Sequence, residues 1–140
     1  MMGYTIWLLA ATLAFDLNSV KQEPNLERRS DLALDHANEA LDSARDAFQA
    51  NDSAKMQAAL DEVTESVNLS YQSLVDTGKD ARRNPKFFKR AELKTRELTR
   101  RLDGFRIAVD VDSRAAVDRV RERVNEVHDN LLKSIMSKKK

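Results

Sequence analysis

The chain has 140 residues, enough for one domain with a modest core, and its 24 basic and 23 acidic residues leave a formal net charge of +1. Cysteine is absent, which excludes disulfides, thiolate catalysis, CxxC redox chemistry, Cys-ligated zinc and c-type haem attachment. Only three Gly and two Pro are present, which argues for long helices, because sheets and loops consume both residues in turns.

The first element is "YTIWLLAATLAF", Tyr4 to Phe15, a run without a charge. It is too short to span a bilayer, which takes about 20 apolar residues. It fits the apolar centre of a secretory signal peptide, with Thr12 and Ala14 as small residues at a cleavage point. The usual Lys or Arg before the run is missing, so only the amino terminus supplies positive charge. The competing reading is an N-terminal helix folded onto the domain. The expectation is export, with 1–14 as signal peptide, 15–24 as leader, 25–136 as the folded domain and 137–140 as a basic tail.

The first long helix starts at Asn25, a good N-cap, with Glu27 in the first turn where the helix dipole favours an anion. Leu26, Ser30, Ala33, Ala37, Ala40, Ala44 and Ala47 then recur every three or four residues, flanked by Leu34, Leu41 and Phe48. This alanine seam would let a second helix approach closely, either inside the domain or across a homodimer. "QANDSA" carries the capping residues Asn51, Asp52 and Ser53, so the chain turns and restarts. Met56, Leu60, Val63, Val67, Ser70 and Leu74 mark the second helix, with Tyr71 beside the stripe, and Gly78 reads as its left-handed stop. These two helices form an antiparallel hairpin.

Asn84-Pro85 predicts the third start, a cap followed by a residue preset for a first turn. Phe88, Ala91, Thr95, Leu98, Leu102 and Phe105 alternate steps of three and four, a strict heptad. After Gly104, Ile107, Val109 and Val111 alternate like a strand. A lone strand lacks a partner, so "FRIAVDVDSR" is read as a crossing linker whose apolar residues pack on the bundle end. Asp112 or Ser113 then caps a fourth helix with the stripe Val117, Val120, Val124, Val127 and Leu131, continued by Ile135. The expected fold is all-α, an antiparallel up-down-up-down four-helix bundle. The first hairpin resembles a tetratricopeptide unit in its alanine content, but each helix is about twice too long for one.

Di-iron bundles need Glu-x-x-His, yet Ala33 stands three residues before His36 and Asn125 three before His128. Met56 lies on a stripe, but His128 sits at a stripe edge, so a Met/His haem is not expected, and both histidines read as partly exposed. GxSxG, HExxH and glycine-rich phosphate loops are missing. The expectation is no enzyme, no metal and no cofactor.

Charge is uneven. Residues 25–80 hold 12 acidic and 5 basic side chains, a balance of −7, whereas 81–106 hold 10 basic and 3 acidic, a balance of +7. Two readings compete. The third helix can pack beside the acidic hairpin and complement it. Alternatively Lys86, Lys89, Arg90, Lys94, Arg96, Arg100 and Arg101 form a patch for phosphates or anionic lipid, with Leu93 opposite the core stripe as a partner contact. Glu92 and Glu97 stand four residues before Arg96 and Arg101, so those two arginines are partly satisfied within their own helix. Phe88 is a core residue, and Phe87 caps the bundle end.

"RRSDLALDHANEAL", "LDEVTESVNLSYQSL" and "GKDARRNPKFFKRAELKTRELTRRLDGF" together resemble a group of short, uncharacterised exported bacterial proteins, many of them from soil bacteria. The resemblance covers nearly all of the chain after the signal. It implies export and an all-helical domain, and it brings no activity with it. The functional expectation is therefore an exported helical bundle acting on an unknown protein partner or an anionic surface. The alternative is binding of an anionic ligand, lipid or nucleic acid through the basic third helix. No small-molecule substrate is evident.

Overall fold

In the computed structural model of the chain, residues 17–137 are described; the expected signal peptide lies outside them. Among the described residues there are five helices and no strand: α1 (Leu17–Lys21), α2 (Leu26–Gln49), α3 (Ser53–Asp76), α4 (Pro85–Ala108) and α5 (Val111–Met136). The chain is all-α, and α2 to α5 are the four long helices of a bundle. The leader contributes α1, whose Leu17 is buried and which packs on α2 and α3. No described helix is long and apolar enough to cross a membrane.

The helix boundaries follow from local chemistry. Asn25 caps α2 by accepting a hydrogen bond from the Arg28 backbone N–H at 3.0 Å. Asp52 does the same for α3 with Lys55. Between them Asn51 takes φ 57°, a left-handed conformation that Asn tolerates better than most residues. Gly78, at φ 66°, closes the turn after α3 as its left-handed residue.

Two boundaries differ from the sequence reading. Pro85 opens α4, but the Asn84 side chain makes no cap bond; its amide turns back to the Asp80 carbonyl. The linker after Gly104 is also far shorter than expected. Helix α4 continues through Gly104 to Ala108, and only Val109 and Asp110 connect it to α5. Asp110, rather than Asp112 or Ser113, is the N-cap, accepting from the Ser113 N–H at 3.0 Å. Glycine costs a helix only about 1 kcal/mol against alanine, and the buried Leu102 before it and Phe105 and Val109 after it hold the last turn down. Of the three alternating residues, Val109 alone packs inward. Ile107 and Val111 are each 74% exposed, because one faces out of α4 and the other begins α5.

The stripes read from periodicity form one core. Leu34, Leu41, Leu60, Val63, Val67, Leu98, Leu102, Val117 and Val124 are almost fully buried. The alanine seam (Ala33, Ala37, Ala40, Ala44, Ala47) is buried against the rest of the bundle, so it serves internal packing and offers no surface to a second copy. Ser30 and Ser70, the polar members of two apolar stripes, meet across α2 and α3 and share a 2.8 Å hydrogen bond, which satisfies both buried hydroxyls.

The long helices alternate in direction, yet consecutive helices are not always neighbours. Helix α2 lies against α3 and α4, and α5 lies against α4 and α3; α3 and α4 meet only weakly, across the diagonal. The connector 77–84 therefore crosses the end of the bundle. The partners of α2 and α4 keep a constant separation of 59 residues, Asp31 with Arg90, Asp35 with Lys94 and Asp42 with Arg101, so these two helices run parallel and in register. At the far end Phe48 and Phe105 pack edge to face with centroids 6.0 Å apart, joining the two hairpins.

Candidate functional site

The α2–α4 seam decides what the basic helix can do. Arg90 donates to both carboxylate oxygens of Asp31, at 3.2 and 2.8 Å. Lys94 reaches Asp31 and Asp35, each at 2.7 Å. Arg101 bonds the Asn38 side chain and pairs with Asp42, not with Glu97 as its spacing within α4 suggested, because the α2 carboxylate lies across the seam. Burial raises the Asp31 carboxyl, but hydrogen bonds and charge from Lys94 and Arg90 outweigh it and hold the group below its ordinary range. Burial likewise lowers Lys94, and its bonds to Asp31 and Asp35 reverse this and raise it. Three of the candidate cations are thus committed to the acidic hairpin. The complementary-packing reading accounts for them.

Arg96 turns the other way. It grips Glu92 with two bonds, 2.9 and 2.6 Å, and Glu92 also bonds His128 Nε2 at 2.7 Å. Glu92 is buried, and this trio links α4 to α5. Burial pushes the Glu92 carboxyl up, while Arg96 and His128 pull it below the usual range with the larger combined effect. The expectation of two partly exposed, unremarkable histidines holds for the partial exposure of His128 and is corrected for the burial of His36 and for the carboxylate contacts of both. His36 is buried, and its Nε2 lies 3.2 Å from Glu62 Oε1 with an alignment too poor for a hydrogen bond. The His128 side chain is only 14% exposed. Both histidines sit at stripe edges that a neighbouring helix covers, and periodicity along one helix cannot distinguish such an edge from a wet one. Among the described residues, no group of three or more His, Cys, Asp or Glu side chains could hold a metal ion.

Four candidate residues remain. Lys86, Lys89, Leu93 and Arg100 are exposed on the outer face of α4, with Leu93 at 55%. The Lys86 ammonium rests over the Phe87 ring, 5.3 Å from its centroid. Phe87, half-buried against the core, lines an open groove of about 530 Å³ with Glu27, Pro85 and Lys89. A second open groove, about 510 Å³, lies between α4 and α5 and is lined by Asp103, Arg106, Asp118 and Arg121, which form ion pairs with one another.

No family model matches this sequence, and neither a curated protein nor a solved structure does. The functional reading therefore rests on the chain's own surface.

Proposed function

We propose that the protein is an exported helical-bundle module that acts by interaction and not by catalysis, using the outer strip of α4. The observation that carries this reading is the sorting of the basic helix. Arg90, Lys94, Arg96 and Arg101 are matched by Asp31, Asp35, Asp42 and Glu92, while Lys86, Lys89 and Arg100, exposed along the same outer face as Leu93, have no acidic partner among the described residues. An exposed leucine among charged side chains, most of them basic, suits a contact with an apolar centre and a charged rim. Export is supported by the uncharged run from Tyr4 to Phe15.

The test has two arms. Fractionation of cells making the full-length chain should place it outside the cytoplasm; a cytoplasmic product overturns export. Partners retained by the wild type should fall at least tenfold on Lys89→Glu with Leu93→Asp, two exposed positions whose substitution leaves the core intact. Undiminished retention overturns the strip. The same strip also supports binding of an anionic ligand, lipid or nucleic acid. That reading requires retention on heparin or anionic vesicles at low salt, lost as salt shortens the Debye length to about 8 Å.

A further inference from the structure

The outer face of α4 carries a second heptad row. Leu93, Glu97, Arg100, Gly104 and Ile107 follow steps of four, three, four and three, and all five are exposed. This is the spacing of a helix–helix seam, on the side of α4 opposite the buried Phe88–Phe105 row. Gly104 is the anomaly within it. A Cβ added there would meet nothing within 4 Å, so no contact inside the bundle requires glycine. A glycine within a helix is unfavourable, and what it leaves outside is a dent that admits another backbone or a large side chain.

We propose, resting on the interaction reading above, that the occupant of this strip is a second copy of the chain. The two α4 helices lie antiparallel about a two-fold axis, with Leu93 of each copy over Gly104 of the other and Glu97 paired reciprocally with Arg100. Positions 93 and 104 share a midpoint with 97 and 100, so one register satisfies both contacts, and the two symmetry-related Leu93–Gly104 contacts lie about 16 Å apart along the helix. The same side chains meet from each copy, as an isologous contact requires. Glu97 and Arg100 have no ion-pair partner among the described residues of their own chain, and are free to take one.

Charge sets the direction. The start of the strip carries the exposed Lys86 and Lys89, whereas the chain beyond its far end carries the exposed Asp110 and Asp112. Antiparallel docking brings each basic end toward its partner's acidic end. Parallel docking stacks lysine on lysine and Arg100 on Arg100. The contact is a single helix pair, below the area of a stable obligate interface, so association is weak and salt-sensitive.

Sedimentation equilibrium of the full chain tests this. At low salt the wild-type mass should climb toward twice that of the monomer as concentration approaches about 1 mM. Glu97→Arg and Arg100→Glu should each remain monomeric at that concentration with unchanged circular dichroism. Mixing the two variants one to one should restore the dimer, because opposite charges again face each other on both sides of the axis. A monomeric wild type overturns the proposal, as does a single variant that dimerises like the wild type or a mixture that stays monomeric beside a dimeric wild type. A monomeric chain that still loses its partners on Lys89→Glu with Leu93→Asp removes the dimer alone and leaves the interaction reading standing.

Discussion

The two hairpins close by different means. In α2–α3 the buried face of α2 is largely alanine and that of α3 mixes serine with Leu and Val, the outer surface is acidic, and the cross-links are the Ser30–Ser70 bond and a poorly aligned His36–Glu62 contact. In α4–α5 the seam is built from Leu, Val and Phe, and charged groups join the helices: Glu92 to His128, Asp103 to Arg121, Asp118 to Arg106. Small residues let α2 and α3 close with few directional contacts. Between α4 and α5 larger side chains fill the seam, and ion pairs join the two helices along the rim. The acidic hairpin then neutralises the inner cations of α4 and leaves its outer strip free.

The hairpins should therefore fail in opposite directions. Leu98→Ala, a fully buried position of α4, should cost about 2–5 kcal/mol in urea unfolding through the cavity it leaves. In α2 the damaging change is added bulk: Ala37→Leu should cost about 1–3 kcal/mol by overpacking the alanine seam. Equal tolerance of bulk in both seams would erase the contrast.

The polar clasps should differ next. Glu92→Ala strands Arg96 and His128 and should destabilise by about 1–3 kcal/mol, with a coupling energy to His128→Ala of at least about 0.5 kcal/mol in a double-mutant cycle. Glu62→Ala, whose partner geometry is poor, should cost less than about 0.5 kcal/mol.

Acid titration sharpens the comparison. Glu92 and Asp31 titrate lower when folded than when unfolded, so their stabilisation is present above the ordinary carboxylate range. It disappears as pH falls through their lowered folded values. Stability of the wild type should therefore drop below about pH 4.5, and Glu92→Gln should flatten part of that slope. An unchanged slope would show that Glu92 does not carry it. The smallest effect is expected at the α2–α4 rim, where Asp35→Asn should cost about 0–1 kcal/mol, less in high salt.

Much of this was legible along the chain. The apolar rows of α2 to α5, the Asn25 cap, the Gly78 stop and the Pro85 start are properties of a few neighbouring residues. The 105–114 region misled because helix end, connector and helix start each placed one apolar residue, and their alternation imitated a strand. Glu92 was visible only as an i,i+4 partner of Arg96. Its second partner, His128, lies 36 residues away on another helix.

The sequence by itself determined where helices form and which face of each is apolar, because periodicity and capping act within one or two turns. Tertiary structure decided which helices are neighbours. By crossing the bundle end, connector 77–84 set α4 parallel to α2 and brought Asp31, Asp35 and Asp42 onto Arg90, Lys94 and Arg101 across 59 residues of chain. That placement separated the cations consumed in holding the bundle together from the strip left to meet a partner. Charge neutralisation depends on distance in space, and no local pattern encodes it.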